Sequence, residues 1–326
     1  MATFHNGYTD IKVELIDFTG DELAKKVVNF NSLAEFNEPD ALGEYSPDNP
    51  EAIRIVNEII DGKTFPKKAF EGHNVSFRIH DISRINLAQL TRERGFFCSA
   101  SGDVRPLTQD LIIPRKIYEN KDYMAQIEKI QKDIEKLYCQ MCDDGITYME
   151  SRYICGHNQT ISLAYHASAF DWLRSCNSRT ENNFACEINY TYRLMLYEVK
   201  KAVAQIKDPL SKKLWNWLLT FADKKHWYNR DHTYNNDFAR YPTPEGYEFS
   251  EPAHNDWRMS SWKLELEKMY KERPELLLPG EAEMIEKWMK MEAEGKELPT
   301  TYDPKFELTA KARIKTMPYY VKHESN

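Results

Sequence analysis

The chain has 326 residues, 41% of them apolar and 29% charged, which is enough apolar sequence to exclude disorder throughout. With 44 Lys and Arg against 51 Asp and Glu, the net charge is −7; a basic binding site has to be local, and a nucleic-acid polymer is not an expected partner. No apolar run approaches the roughly 18 residues that span a bilayer, the first ten residues lack a signal-peptide pattern, and six cysteines in so long a chain are not a disulfide framework, so the expectation is a cytoplasmic protein with no membrane partner.

Ile11, Val13 and Leu15 alternate with polar neighbours and predict a strand. Thr19-Gly20-Asp21 opens a helical pattern carried by Leu23, Val27 and Val28. A second helix starts at Asn49-Pro50, a capping residue followed by proline in the first turn, and runs through Ile53, Val56 and Ile60 to Gly62. Val75, Phe77 and Ile79 alternate with Ser76 and Arg78 as a strand, after which Ser83 caps a short helix, 84–94, ended by Gly95. The clearest periodicity lies in 120–142, where Ile127, Ile130, Ile134, Leu137 and Met141 recur at 3-4-3-4 spacing before Asp143-Asp144-Gly145. This predicts an amphipathic helix packed on a neighbour.

Another long helix is expected over 181–206, with Phe184, Ile188, Leu196, Val199 and Val203 inward, followed by an apolar stretch over 214–222. Beyond 223, Tyr, Asn, Trp and Pro crowd together, and helical stretches follow near 260–272 and 281–294. The second carries a stripe of Met284, Trp288 and Met291, read as core or interface. The chain thus divides into a main domain, 1–222, and an aromatic-rich, partly helical C-terminal extension, 223–326, that wraps or caps it.

The segment richest in chemistry is FRIHDISRINLAQLTRERGFFCSASGDVRPL, residues 77–107. Gln89 and Arg92 are three apart and share a helix face, Arg94 follows, and a small-residue turn, Ser99-Ala100-Ser101-Gly102, leads to Arg105. Guanidinium groups beside small polar residues with open backbone N–H groups suit a phosphate and a planar ring, while the plain alternative is a solvated helix face and a loop.

The order of these parts resembles the signature of the flavin-dependent thymidylate synthases. In that family a strand leads to a Ser-Arg, then to Gln-x-x-Arg-His-Arg, then to a loop with Ser-Gly-Arg; here Ser76-Phe77-Arg78-Ile79, Ser83-Arg84, Gln89, Arg92 and Arg94 stand in those places. Upstream, residues 13–18, the helix at 50–61 and GKTFPKKAFEGH (62–73) resemble the family's opening strand, helix and Gly-His-x-x-Pro-x-Glu-His region. Downstream, Glu150-Ser151-Arg152-Tyr153 resembles its Ala-Arg-x-x-Leu-Pro element, and residues 167–188 resemble Asn-Ala-Arg-Ser-Leu…Leu-Arg…Ala-Gln-x-Glu-Ile, which puts Arg179 and Glu187 on family positions. The likeness covers roughly residues 10–222.

The resemblance implies an α+β fold, a mixed sheet flanked by long helices, here with a helical C-terminal extension. It implies a homotetramer whose sites are shared between subunits and hold FAD, a pyrimidine deoxynucleoside monophosphate and methylenetetrahydrofolate, with NADPH as co-substrate. The implied reaction is one-carbon transfer to C5 of the pyrimidine, by default methylation of dUMP to dTMP. Gln89, Arg92, Ser101, Gly102, Arg105, Arg152 and Arg179 fall to the nucleotide, with Arg92 and Arg179 as the catalytic pair. His73, Glu93, Arg94, Ser168 and Arg174 fall to the flavin or folate side.

The sequence also departs from the family. Glu93 replaces the central His, Ser-Gly-Arg has become Ser-Gly-Asp-Val-Arg, Ser99 and Ala100 stand where an acidic residue usually precedes the serine, Lys63 replaces an upstream His, and Ser168-x-Phe170 replaces Asn-x-Arg. Two further outcomes are therefore carried: hydroxymethylation of dUMP or dCMP on the same scaffold, and a nucleotide-binding or assembly protein whose pocket has decayed. Cys139 and Cys142, with Cys155 and His157, have a spacing that could hold zinc, but helical i and i+3 cysteines are more often core residues, and no metal is expected. Cys98 could be an activated thiolate beside Arg92 and Arg94; the preferred reading is a small buried cysteine beside Phe96 and Phe97. No site is read at His226, His232 and His254.

Overall fold

The computed structural model describes residues 3–36, 45–63, 69–70, 72–92, 95–100, 110–180, 186–222 and 261–296. After a three-residue strand, β1 (Phe4–Asn6), the alternation around Val13 forms β2 (Lys12–Phe18), and α1 (Leu23–Phe36) buries Leu23, Val27 and Val28. In α2 (Pro50–Ile60) the Asn49 side chain accepts from the Glu51 N–H, and Pro50 sits where a missing N–H costs nothing. β3 (Asn74–Ser83) runs into α3 (Arg84–Leu90), and β4 (Phe96–Ala100) and β5 (Leu111–Ile113) follow. α3 ends at its cap, Thr91, one turn earlier than the predicted 84–94.

Next come a one-turn helix, α4 (Arg115–Tyr118), the long α5 (Lys121–Asp143) and another short helix, α6 (Tyr148–Ser151), which continues into a 3-10 turn, Arg152–Ile154. β6 (Thr160–Ser168) leads into α7 (Ala169–Arg179); then α8 (Cys186–Ala204), α9 (Pro209–Leu219), α10 (Ser261–Glu272) and α11 (Glu281–Ala293) complete the described elements.

Four strands form one antiparallel sheet in the order β2-β3-β6-β4, and β1 pairs with β5 in a separate parallel ladder. The inner face carries cross-strand rows such as Leu15–Phe77–Tyr165–Cys98 and Val13–Ile79–Leu163–Ala100. Phe77, Ile79, Leu163 and Tyr165 are buried there among Trp172, Ile188, Met195 and Trp215 from the helices. The outer face is polar: Arg78 pairs with Glu14, and Ser76 Oγ meets His166 Nδ1 at 2.8 Å. A bulge interrupts the β3–β6 register between Ile79 and Ile82, and Asp81 takes the positive φ of 59° that Asp tolerates better than most residues. The bulge delivers Ser83 to the start of α3.

The described part of the extension packs into the main domain. Leu266, Met269, Leu276, Ile285 and Trp288 are buried in the common core, with Met284 and Met291 half-buried against it. Two buried ion pairs fasten it: Arg115 to Glu265, two contacts at 3.1 Å, and Arg193 to Glu281, at 2.5 and 2.7 Å.

Three expectations are corrected. The α5 stripe is only partly covered: Ile127, Ile134 and Met141 are half-buried, Ile130 and Leu137 are exposed, and the fully buried residues of this helix are Gln131 and Tyr138. Ser99 and Ala100 belong to strand β4 rather than to a turn. Cys139 is exposed and Cys142 half-buried, its Sγ donating to Ser151 Oγ at 3.7 Å, so neither is a core cysteine.

Candidate active site

Helix α3 is the axis of the site, and its own residues fix its position. Ser83 caps it by accepting from the Asn86 N–H at 3.1 Å, while the Ser83 N–H donates to Glu187 at 2.6 Å and the Ser83 hydroxyl donates to the other Glu187 oxygen. Asn86 Nδ2 reaches Thr191 Oγ1 at 2.8 Å. Glu187 is almost fully buried, and burial pushes its carboxyl above the usual range against the pull of the Ser83 donors. Its family position thus has a structural use: it ties α3 to α8.

At the start of α3, the Arg84 N–H donates to Gln159 O and the Ile85 N–H to His157 O, which draws in the segment after Arg152. Arg84 Nε and Nη2 are buried with no hydrogen-bond partner among the described residues, as are both amide atoms of Gln159. Burial, then the positive charge of Arg152, lowers the Arg84 pKa. Two guanidinium groups near each other, one with buried unpaired donors, leave an unfilled demand for an anion. In the sequence Arg84 is only part of the Ser-Arg motif; its chemical importance comes from an enclosure that spacing does not reveal.

At the other end, Gln89 and the buried Arg179 meet, Arg179 Nη1 donating to Gln89 Oε1 at 3.4 Å. Arg92 follows one turn on with its side chain exposed. Gly95 has φ +82°, and a Cβ there would lie 2.3 Å from Asp171 Oδ2, so only glycine lets the chain pass so close to α7. Asp171 accepts from Ser168 Oγ at 2.9 Å and pairs with Arg174 at 3.4 Å. The structure therefore brings Ser168 and Arg174, through Asp171, beside Gly95. The seven residues of α3 span about 10 Å at 1.5 Å rise per residue, with Arg84 and Arg152 at one end and Gln89, Arg179 and Arg92 at the other.

Three flavin-side residues are placed by the structure, and none offers an open cradle within one chain. Ser168 is engaged as the cap of α7, Arg174 pairs with Asp171, and His73 is 4% exposed with both ring nitrogens unpartnered among the described residues. Burial, then the charge of Lys26, pushes the His73 pKa down to about 4, so the ring is neutral at pH 7. Phe170 is buried in the core. A flavin site needs residues beyond these. Glu93, Arg94, Ser101, Gly102 and Arg105 lie outside the described residues.

Cys98 is half-buried on β4, and burial raises its pKa, the direction opposite to that of an activated thiolate. Among the described residues, no group of three or more His, Cys, Asp or Glu side chains is arranged to hold a metal ion, and no helix is long and apolar enough to cross a membrane.

The family model described as Thymidylate synthase complementing protein matches residues 14–204, more than half of the chain and all the described elements around α3. The chain belongs to this family. It is the flavin-dependent thymidylate synthase family that the motifs over 77–188 resemble.

Among solved structures, the UMP/dUMP methylase PolB from Streptomyces cacaoi bound with 5-Br dUMP is 16% identical, with a TM-score of 0.49 over 66% of this chain and 97% of that one. The same methylase bound with 5-Br UMP gives 13%, 0.47, 68% and 97%. Thymidylate Synthase X from Helicobacter pylori, with FAD and dUMP, gives 15%, 0.42, 61% and 99%. Likeness at this level carries no functional weight. No curated protein matches the sequence.

Proposed function

We propose that the protein is an enzyme of one-carbon transfer from methylenetetrahydrofolate to C5 of a pyrimidine deoxynucleoside monophosphate, dUMP by default, with FAD as cofactor and NADPH as reductant. The observation that carries this reading is the row of cations along α3, inside the segment that matches the family. Arg84 and Arg152 suit the 5′-phosphate, because a dianion there satisfies the buried Arg84 donors and removes the repulsion between the two guanidinium groups. Arg179, steadied by Gln89, and Arg92 suit the base end, where they offset negative charge as it develops on the ring oxygens. When bound, the flavin supplies the hydride that completes the methyl group, which leaves the protein the work of holding and orienting the reactants.

Residues 1–222 form the catalytic unit in this reading, and 223–326 an extension fastened through Glu265 and Glu281. The site is completed between copies in a homo-oligomer, a tetramer by family precedent, in the cytoplasm. The second reading is a nucleotide-binding protein without turnover, favoured by the enclosure of His73 and the burial of Phe170 where the family has an arginine.

The test is incubation with FAD, NADPH, methylenetetrahydrofolate and each of dUMP and dCMP, followed by tritium release from C5 and product mass. Release with a methyl mass increment on dUMP supports the proposal, and a hydroxymethyl increment moves it to the related transferase. Tight dUMP binding without release replaces it with the binding protein, and indifference to both FAD and nucleotides overturns it.

A further inference from the structure

His5 stands between two carboxylates on the strand that opens the fold. Its Nδ1 lies 2.6 Å from Asp10 Oδ2, and its Nε2 lies 3.2 Å from Asp110 Oδ2. A neutral imidazole carries a proton on one nitrogen only, so its other nitrogen would turn a lone pair on a carboxylate. Both contacts are attractive together only in the imidazolium. The His5 side chain is 17% exposed, and those of Asp10 and Asp110 are 59% and 42% exposed, so solvent protons reach the cluster.

We propose that His5 is a proton-operated latch: its imidazolium fastens β1 to β5 and, through β5, steadies the segment that carries Arg84. The ladder it fastens is weak by itself. β1 and β5 pair in parallel over three residues, Phe4–Leu111, His5–Ile112 and Asn6–Ile113, which is too short to hold without side-chain help. Asp110 makes the fastening double, because its other oxygen, Oδ1, accepts from the Thr3 N–H at 3.0 Å.

From Asp110 the bonds continue to the candidate site. The Thr160 N–H donates to Asp110 O at 2.9 Å, the Ile112 N–H donates to Asn158 O at 2.9 Å, and Leu111 bridges to Gln159. Gln159 O in turn accepts from the Arg84 N–H at 3.1 Å, and His157 O from the Ile85 N–H at 3.2 Å. Asp110 and residues 157–160 are thus the steps between His5 and the first residue of α3. A proton taken up on β1 tightens the Arg84 end.

The surrounding charges set the pH window. Asp10 and Asp110 are the groups that face the ring, while Arg115 and Glu265, which meet beside Gly7, are paired with each other. Burial by itself would lower the His5 pKa, but the hydrogen bonds and charges of Asp10 and Asp110 outweigh it and raise it. Burial pushes the Asp110 carboxyl up, and the Thr3 and His5 donors pull it below its ordinary value. The His5 contribution is therefore fully present below about pH 6.5 and is lost as pH rises through the higher folded value. On the acid side it lasts until Asp110 takes a proton.

The test is amide hydrogen exchange of the full chain and of His5→Gln, compared at equal pH from 6 to 9.5. An NMR titration of the His5 ring and a melting curve accompany it. Gln offers a donor without a charge, and comparison at equal pH cancels the intrinsic rise of exchange with alkali. Near pH 6 the variant should exchange about two- to fivefold faster over 3–8, 110–113 and the Thr160 and Arg84 amides, the weight of a partly exposed ion pair. That gap should close with the midpoint of the His5 titration, which should lie above about 6.5. Asp10→Asn, the second variant, should move both midpoints down together. A gap that does not titrate, a His5 midpoint at or below about 6.5, or faster exchange confined to 3–8 overturns the latch. No nucleotide enters the measurement, so either result leaves the one-carbon reading as it stands.

Discussion

Glu281→Ala is the sharpest test of how the extension is held. Arg193 is fully buried; it gives Glu281 two hydrogen bonds at 2.5 and 2.7 Å, with Nε on Asn189 at 2.7 Å and Nη1 also on Leu276 O at 3.2 Å. Glu281 also accepts from the Leu278 N–H at 2.8 Å. Truncation keeps the Asn189 and Leu276 contacts but strips the counter-charge from a buried cation, a loss of about 3–5 kcal/mol when one partner of such a pair is removed. At about 2 °C per kcal/mol for a chain of this size, the melting midpoint should fall by about 6–10 °C. The control is Glu292→Ala, which removes a half-exposed partner of Lys263 and should cost about 1 kcal/mol or less. Thermal unfolding by circular dichroism reads both. If Glu281→Ala melts within about 2 °C of the control, the pair is not a buried clamp and the account of the extension is wrong.

Other perturbations address the site. Arg84→Met should weaken dUMP binding by about 1.5–3 kcal/mol in calorimetry while leaving the melting point unchanged or higher, since a partly buried guanidinium without a partner is removed; undiminished affinity would take Arg84 out of the phosphate site. Arg92→Ala should lose dUMP affinity by a similar amount with the fold intact, because its side chain is exposed in the free protein, and equal affinity removes it from the pocket. His73 gives a pH signature. The unfolded chain takes up a proton below about pH 6.5 and the folded one only near pH 4, so stability should decline by about 3 kcal/mol as pH falls between those values. In His73→Phe that part of the decline should vanish from denaturant titrations at pH 7, 5.5 and 4, and an unchanged profile would show that His73 is not the group responsible.

Much of the fold can be read from local pattern because its elements announce themselves locally. Asn49-Pro50 and Ser83 are caps whose side chains make the expected bonds, and alternation in β2 and β3 follows from one buried sheet face. Ile161, Leu163 and Tyr165 alternate just as clearly and mark β6, but they lie between two motifs, where no chemistry draws the eye. The α5 stripe shows the limit of periodicity: spacing says that a helix has an apolar face and not what covers it. The site divides in the same way. Gln89 and Arg179 could be paired through family order, whereas the enclosure of Arg84 beside Arg152 depends on contacts between residues far apart in sequence.

The two ion pairs that fasten the extension change what a shortened protein would be. A fragment ending near residue 222 keeps the whole of the family match over residues 14–204, but it would be born with Arg115 and Arg193 shorn of Glu265 and Glu281, two cations stranded at what had been an interior boundary. Arg193 lies on the same helix as Glu187, which steadies Ser83 at the head of α3. Cutting away the tail would therefore be felt less than two turns along α8, at the carboxylate that holds Ser83, and an inactive fragment would say nothing about whether the intact enzyme turns over.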